Sequence, residues 1–184
     1  MHKKLTKYIE SYDEIQNCTT YSLIPNGGMI VLINQDTNYE LIINDELYKV
    51  KSFQNILINA YTDAVEIKSD DILKLTVVRF KGAGASFFYE EYLDQLMYNP
   101  NEPILIEKNI REELDDYFID RLKVGTLPFN IMKIIDLLDE QKSDYNIDEV
   151  LAIANVPRRI LDKTFRLRAG LSFKTYAGIK EFIE

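Results

Sequence analysis

The residues with the most chemistry to offer gather near the C-terminus. Arg158, Arg159, Lys163, Arg166, Arg168, Lys174 and Lys180 fall within one short stretch, with Asp162 among them. Closely spaced guanidinium and ammonium groups suit polyanions: they neutralise phosphates, and the arginine fork also matches the acceptor edge of guanine. Residues 145–184 carry seven basic and five acidic side chains, net +2, whereas residues 1–144 carry 15 basic and 25 acidic, net −10. The overall charge of −8 argues against a nucleic-acid partner. Its uneven distribution describes two different surfaces.

Catalytic chemistry has little to work with. The one histidine, His2, stands at a terminus expected to fray, and the one cysteine, Cys18, excludes an internal disulfide framework and has no nearby histidine to activate it. Metal ligation lacks donors, and Ser86 lacks a nucleophile elbow. Glu90-Glu91, Glu112-Glu113 and Asp115-Asp116 are carboxylate pairs, read as the solvated faces of helices rather than as acid–base couples. Lys81-Gly82-Ala83-Gly84-Ala85-Ser86 has two readings. It cradles a phosphate at a helix N-terminus, or it is a strand-to-helix connection that needs small residues. Tyr21, Tyr39, Tyr48 and Tyr61 likewise either line a ligand cavity or pack a core. No enzyme activity, cofactor or metal is expected.

These groups must be carried by a fold, and 184 residues with 46% hydrophobic and 28% charged side chains are ample for a globular one. No apolar run reaches the length of a membrane span, and the N-terminus lacks the apolar stretch of a signal peptide, which predicts a cytoplasmic protein. Short apolar or alternating runs at Ser22–Ile24, Met29–Ile33, Glu40–Ile43, Tyr48–Val50, Ile56–Ala60, Ala64–Ile67 and Lys74–Phe80 are divided by turn residues such as Pro25-Asn26-Gly27-Gly28 and Asn44-Asp45. They predict an antiparallel β-sandwich or small barrel, cupin-like in outline. After Gly84 the period turns helical. Ile106, Ile110, Leu114, Tyr117, Phe118 and Leu122 predict one amphipathic helix over residues 103–123, followed by another over 128–140 with Pro128 near its first turn. The polar stretch Gln141–Asn146 reads as a linker.

The last forty residues are the most specific. Asn146 caps a short helix over Ile147–Ala154, and Glu149 three residues on gives the pattern of a capping box. Asn155 tolerates the left-handed turn, and Pro157 opens a second helix that buries Phe165 with either Ile160 or Leu161. Gly170 stops it, and Ser172 caps a third helix. Two short helices across a tight turn, the second with outward cations, form a helix-turn-helix.

This stretch resembles the first of the two helix-turn-helix units of AraC/XylS-family transcriptional regulators, matching at Ala154, Val156, Leu161, Lys163, Phe165, Gly170, Leu171, Ser172, Lys174 and Tyr176. Upstream, Pro25-Asn26-Gly27 and Arg79-Phe80-Lys81-Gly82-Ala83-Gly84-Ala85 resemble the β-rich module of a subgroup of that family. Asn155, Pro157 and Phe173 depart from the family's usual Gly, Ser and Pro. The sequence ends at Glu184 inside the helix that would link the two units, so only the first unit is expected.

The resemblance implies an α+β chain of three parts: a β-rich sensing or dimerising module over 1–100, a helical connector over 101–144, and a partial AraC-type DNA-binding domain over 145–184. Double-stranded DNA is the implied partner, bound weakly by a single unit, with a possible small-molecule effector and a homodimer. Arg158, Arg159 and Asp162 are expected at base edges, because the N-terminal part of a recognition helix reads bases; Lys163, Arg166 and Lys174 are expected at phosphates. The alternative is a ligand-sensing or dimerising protein without independent DNA binding. A small enzyme built on the β-rich part is the remaining rival.

Overall fold

The computed structural model describes residues 1–107, 110, 113–123, 131–141 and 146–182. Among the described residues nine strands form two antiparallel sheets: β1 (Ile9–Ile15), β2 (Thr20–Leu23), β3 (Ile30–Asn34), β4 (Tyr39–Ile43), β5 (Glu46–Val50), β6 (Asn55–Ile58), β7 (Val65–Lys68), β8 (Leu75–Phe80) and β9 (Ile104–Ile106). One sheet has the order β1-β8-β3-β6-β9 and the other β2-β7-β4-β5. The helices are α1 (Leu93–Tyr98), α2 (Leu114–Arg121), α3 (Ile131–Gln141), α4 (Ile147–Ala154), α5 (Arg158–Ala169) and α6 (Phe173–Phe182). The protein is α+β, and its β-rich part is a sandwich.

The pleat explains why β3 is buried at every position. Ile30 and Leu32 face the second sheet, while Val31 and Ile33 face the helices, so the strand has apolar neighbours on both sides. β8 divides the same way: Leu75 and Val77 point into the sandwich, and Val78 and Phe80 point into the helical layer. The β4–β5 hairpin turns at Asn44 and Asp45, both at positive φ (49° and 65°), the conformation a two-residue hairpin loop demands.

All seven runs expected as strands overlap β2–β8. Two elements differ from expectation. The N-terminus is built in rather than frayed: Leu5, Tyr8 and Ile9 are buried, β1 pairs antiparallel with β8, and the terminal ammonium lies 3.6 Å from the Asp115 carboxylate. The expected helix over 103–123 is a strand followed by a shorter helix. Ile104 and Ile106 alternate with exposed Leu105, which fits the open edge of β6, and the Asn55 side chain donates to the Glu107 carbonyl at 2.9 Å. The apolar stripe is nonetheless core-facing: Ile106, Ile110 and Phe118 are buried, and Leu114, Tyr117 and Leu122 pack against them. Pro128, Glu112 and most of the expected linker lie outside the described residues.

One apolar cluster joins the outer face of the first sheet to all the helices. The segment from Gly82 to Phe87 sits at its centre as a 3₁₀ turn on which α3 and α5 pack. A Cβ at Gly84 would come 2.1 Å from the Tyr8 carbonyl oxygen, so side chains there are small because other backbone approaches closely.

Candidate nucleic-acid interface

The helix-turn-helix is set by a series of local devices. The Asn146 side chain accepts from the Asp148 amide at 2.9 Å and starts α4. Asn155 ends that helix in the left-handed region (φ 51°, ψ 39°). Pro157 is extended (φ −59°, ψ 145°), which turns the chain before α5, and its missing N–H falls where a helix has no acceptor to offer. Gly170 closes α5 at φ 79°, and the Ser172 hydroxyl accepts from the Thr175 amide at 3.0 Å to open α6.

Leu161, Phe165 and Ala169 form the buried stripe of α5. The Phe165 ring meets Phe173 edge-on at 5.3 Å and lies 5.8 Å from the Tyr176 ring. Leu161 is therefore the inward residue, and Ile160 is 40% exposed. The opposite face presents Arg159, Lys163 and Arg166 at i, i+4 and i+7, all exposed. Arg158 is exposed on the first turn, Lys174 is exposed on the first turn of α6, and Asp162 is half-buried. Among the described residues none of these five cations enters an ion pair.

The two remaining cations of this stretch are paired with the body. Arg168 bonds Glu90 at 2.9 Å, and Lys180 reaches Asp139 of α3 at 3.0 Å. Asp139 also accepts from the Tyr176 hydroxyl at 3.2 Å, and burial, followed by the Asp139 charge, pushes that phenol well above its usual range. The Tyr176 ring lies against Gly27 of the Pro25–Gly28 turn, and α3 packs on α4 and α6. Helical phase sets Arg168, seven residues after Leu161, beside the buried stripe and Arg166 on the outward face, but the carboxylates that receive Arg168 and Lys180 had no signal in the sequence.

The other candidate sites are accounted for structurally. Gly82 to Ser86 are all buried, and the amides of Gly84, Phe88 and Tyr89 bond carbonyls of the same turn, which removes the phosphate-cradle reading. Glu90 and Glu91 are held by Arg168 and by Arg121 with Lys123, and Asp115 accepts from the Tyr12 hydroxyl at 3.1 Å. Tyr39 and Tyr61 lie in the sandwich core, where burial raises both phenols. A shallow groove of about 590 Å³ crosses the outer face of the second sheet, lined by Asn38, Glu40, Lys49, Lys51, Lys68 and Ser69 among others.

No protein-family model matches the chain, and no curated protein matches it. Solved structures do. ToxT from Vibrio cholerae (P21 form) superposes with a TM-score of 0.51 at 14% identity, over 92% of this chain and 79% of that one. ToxT from Vibrio cholerae O395 bound to (E)-4-(8-methylnaphthalen-1-yl)but-3-enoic acid gives the same TM-score and identity, over 92% and 80%. At such identity the likeness is one of fold. ToxT is a regulator of the AraC family, so the likeness agrees with the resemblance carried by residues 150–180. The chain has an AraC-like fold.

Proposed function

We propose that this protein is a DNA-binding transcriptional regulator of the AraC/XylS type, with α5 as its recognition helix. The observation that carries the reading is the outward face of α5 and the first turn of α6, where five exposed cations have no protein partner among the described residues. In the major groove, Arg158, Arg159 and Asp162 meet base edges, while Lys163, Arg166 and Lys174 meet phosphates. Residues 145–184 supply the DNA-binding part, 101–144 the connector and 1–100 the sensing or dimerising module. The regulator acts in the cytosol as a homodimer. The arylbutenoic acid bound to ToxT supports a small-molecule effector here as well.

Selection of bound fragments from a random duplex library, with a salt titration on the winners, tests this reading. A regulator enriches a defined site and its log affinity falls linearly with log salt. In that assay Arg159→Ala relaxes preference at one base position, whereas Lys174→Ala weakens all sequences alike and lowers the salt slope by about 1. Equal loss on selected and random DNA for Arg159→Ala removes the base-edge assignment.

The net charge of −10 over residues 1–144 favours a second reading, in which the protein senses or dimerises without binding DNA by itself. No retention of duplex DNA at low salt, together with a change in size when a full-length AraC-type protein is added, selects it.

A further inference from the structure

The β-rich module is acidic as a whole, but its first turn is not. All 25 acidic side chains of residues 1–144 lie beyond this turn, the first being Glu10, while His2, Lys3, Lys4 and Lys7 stand exposed before it. The turn is therefore a local break in a field that repels polyanions. It is also built rather than trailing. Leu5 is fully buried in the cluster that joins the first sheet to the helices. The Leu5 amide donates to the His2 carbonyl at 2.9 Å, and the amides of Tyr8 and Ile9 donate to the Leu5 carbonyl, each at 2.8 Å. The Lys4 amide donates to His2 Nδ1 at 3.1 Å, and the Thr6 hydroxyl to the Lys3 carbonyl at 2.9 Å. Backbone thus fixes where three lysines stand, and among the described residues none of the three enters an ion pair.

This turn lies next to the seat of α6. The Lys81 amide donates to the Tyr8 carbonyl at 2.9 Å, and Gly82 beside it meets Ile135 of α3, where a Cβ would come 2.6 Å from Cδ1. Asp139, four residues on and so on the same face of α3, takes Lys180 and Tyr176 of α6. On the other side, a Cβ at Gly28 would lie 3.4 Å from the Gly82 nitrogen, and Tyr176 rests on Gly27. Burial raises the Asp136 carboxyl, with the charges of Lys81 and Lys7 working against it, which sets Lys7 beside α3 as well. A chain of contacts thus runs from the helix that carries Lys174, over α3, to the lysines of the first turn. Ammonium groups are point charges that suit phosphates without reading sequence. We infer that Lys3, Lys4 and Lys7 are a second phosphate-contact patch: duplex DNA held by α5 and the first turn of α6 runs on past α3, and its flanking backbone lies on the N-terminal turn of the module. This rests on the DNA-binding reading above and extends the bound length of duplex beyond the helix-turn-helix.

The test is the salt dependence of binding by the full chain to a selected duplex and to a random duplex of equal length, measured for wild type, K3Q/K4Q and K49Q/K51Q. Lys3 and Lys4 hold the turn through backbone atoms, so their exposed side chains change without loss of the fold; a thermal melt checks this. Lys7 is left in place because its ammonium lies 5.6 Å from the Tyr8 ring centroid. Lys49 and Lys51 line the groove on the outer face of the second sheet, so replacing them removes the same charge from the side away from the helices. Losing two phosphate contacts makes the slope of K3Q/K4Q shallower by about 1.8, so that between 50 and 200 mM salt it loses about 12-fold less affinity than wild type. The change is expected on both duplexes alike, and K49Q/K51Q is expected to keep the wild-type slope. An unchanged slope in K3Q/K4Q, an equal change in K49Q/K51Q, or a change confined to the selected duplex each overturns the inference while leaving DNA binding by α5 intact. No binding by wild type to either duplex overturns the functional reading itself, and the inference with it.

Discussion

Gly170 combines two demands that no other residue meets together. Its φ of 79° costs an L-residue about 1–2 kcal/mol, and the Asn59 oxygen fills the space where a Cβ would stand. Gly170→Ala is expected to lose that conformational cost plus a steric one, read as a lower urea midpoint. Adding Asn59→Ala relieves only the steric part, so the double variant loses less than the two singles summed. Strict additivity would show that the two residues do not press on each other. Half of this was legible beforehand: a glycine after a basic amphipathic run marks a helix stop. That the same glycine seats the helix against β6 could not be read, because Asn59 lies more than a hundred residues earlier and carries no pattern linking it to position 170. The cations divide in the same manner. Their number and spacing were plain in the chain, but that Glu90 and Asp139 are the carboxylates that take Arg168 and Lys180 depends on packing alone.

Among the elements, α4, α5 and α6 were readable because each end is written in residue types with local mechanisms: Asn146, Asn155, Pro157, Gly170 and Ser172. The choice between Ile160 and Leu161 was open until the stripe through Phe165 and Ala169 fixed the inward face. That assignment has a measurable consequence. Leu161→Ala should cost about 2–5 kcal/mol, since the side chain is fully buried, and Ile160→Ala about 0.5 kcal/mol or less. Comparable losses in equilibrium denaturation would mean that α5 is rotated. β1 and β9 were not legible, for opposite reasons. β1 (Ile9–Ile15) is a polar edge strand whose middle residues are half-buried or exposed, so it shows little alternation. In β9, Ile104 and Ile106 suit a strand while Ile106, Ile110 and Leu114 suit a helix, and the vacant edge of β6 decides between them.

At the scale of the molecule, six buried or half-buried tyrosines share one electrostatic tendency. Burial is the largest cause of the raised phenols of Tyr12, Tyr39, Tyr61, Tyr89, Tyr117 and Tyr176, with acidic neighbours adding to it at Tyr12, Tyr117 and Tyr176. An unfolded chain releases these protons near the ordinary value of 10, whereas the folded chain keeps them. The unfolded state then binds fewer protons, so their contribution is complete below pH 10 and is lost as pH rises beyond it. Urea midpoints at pH 8 and 11 test this, and equal midpoints would contradict it. The sheet order has a consequence for synthesis. β1 is paired only through β8, sixty residues downstream, and the small-residue turn that seats both α3 and α5 follows β8 directly. A ribosome delivers the first strand long before its neighbour leaves the exit tunnel, so early in translation Tyr8, Ile9 and Ile15 have no sheet to enter. The nascent chain must shelter its beginning until that turn has emerged, and α5 and α6 take their seats last.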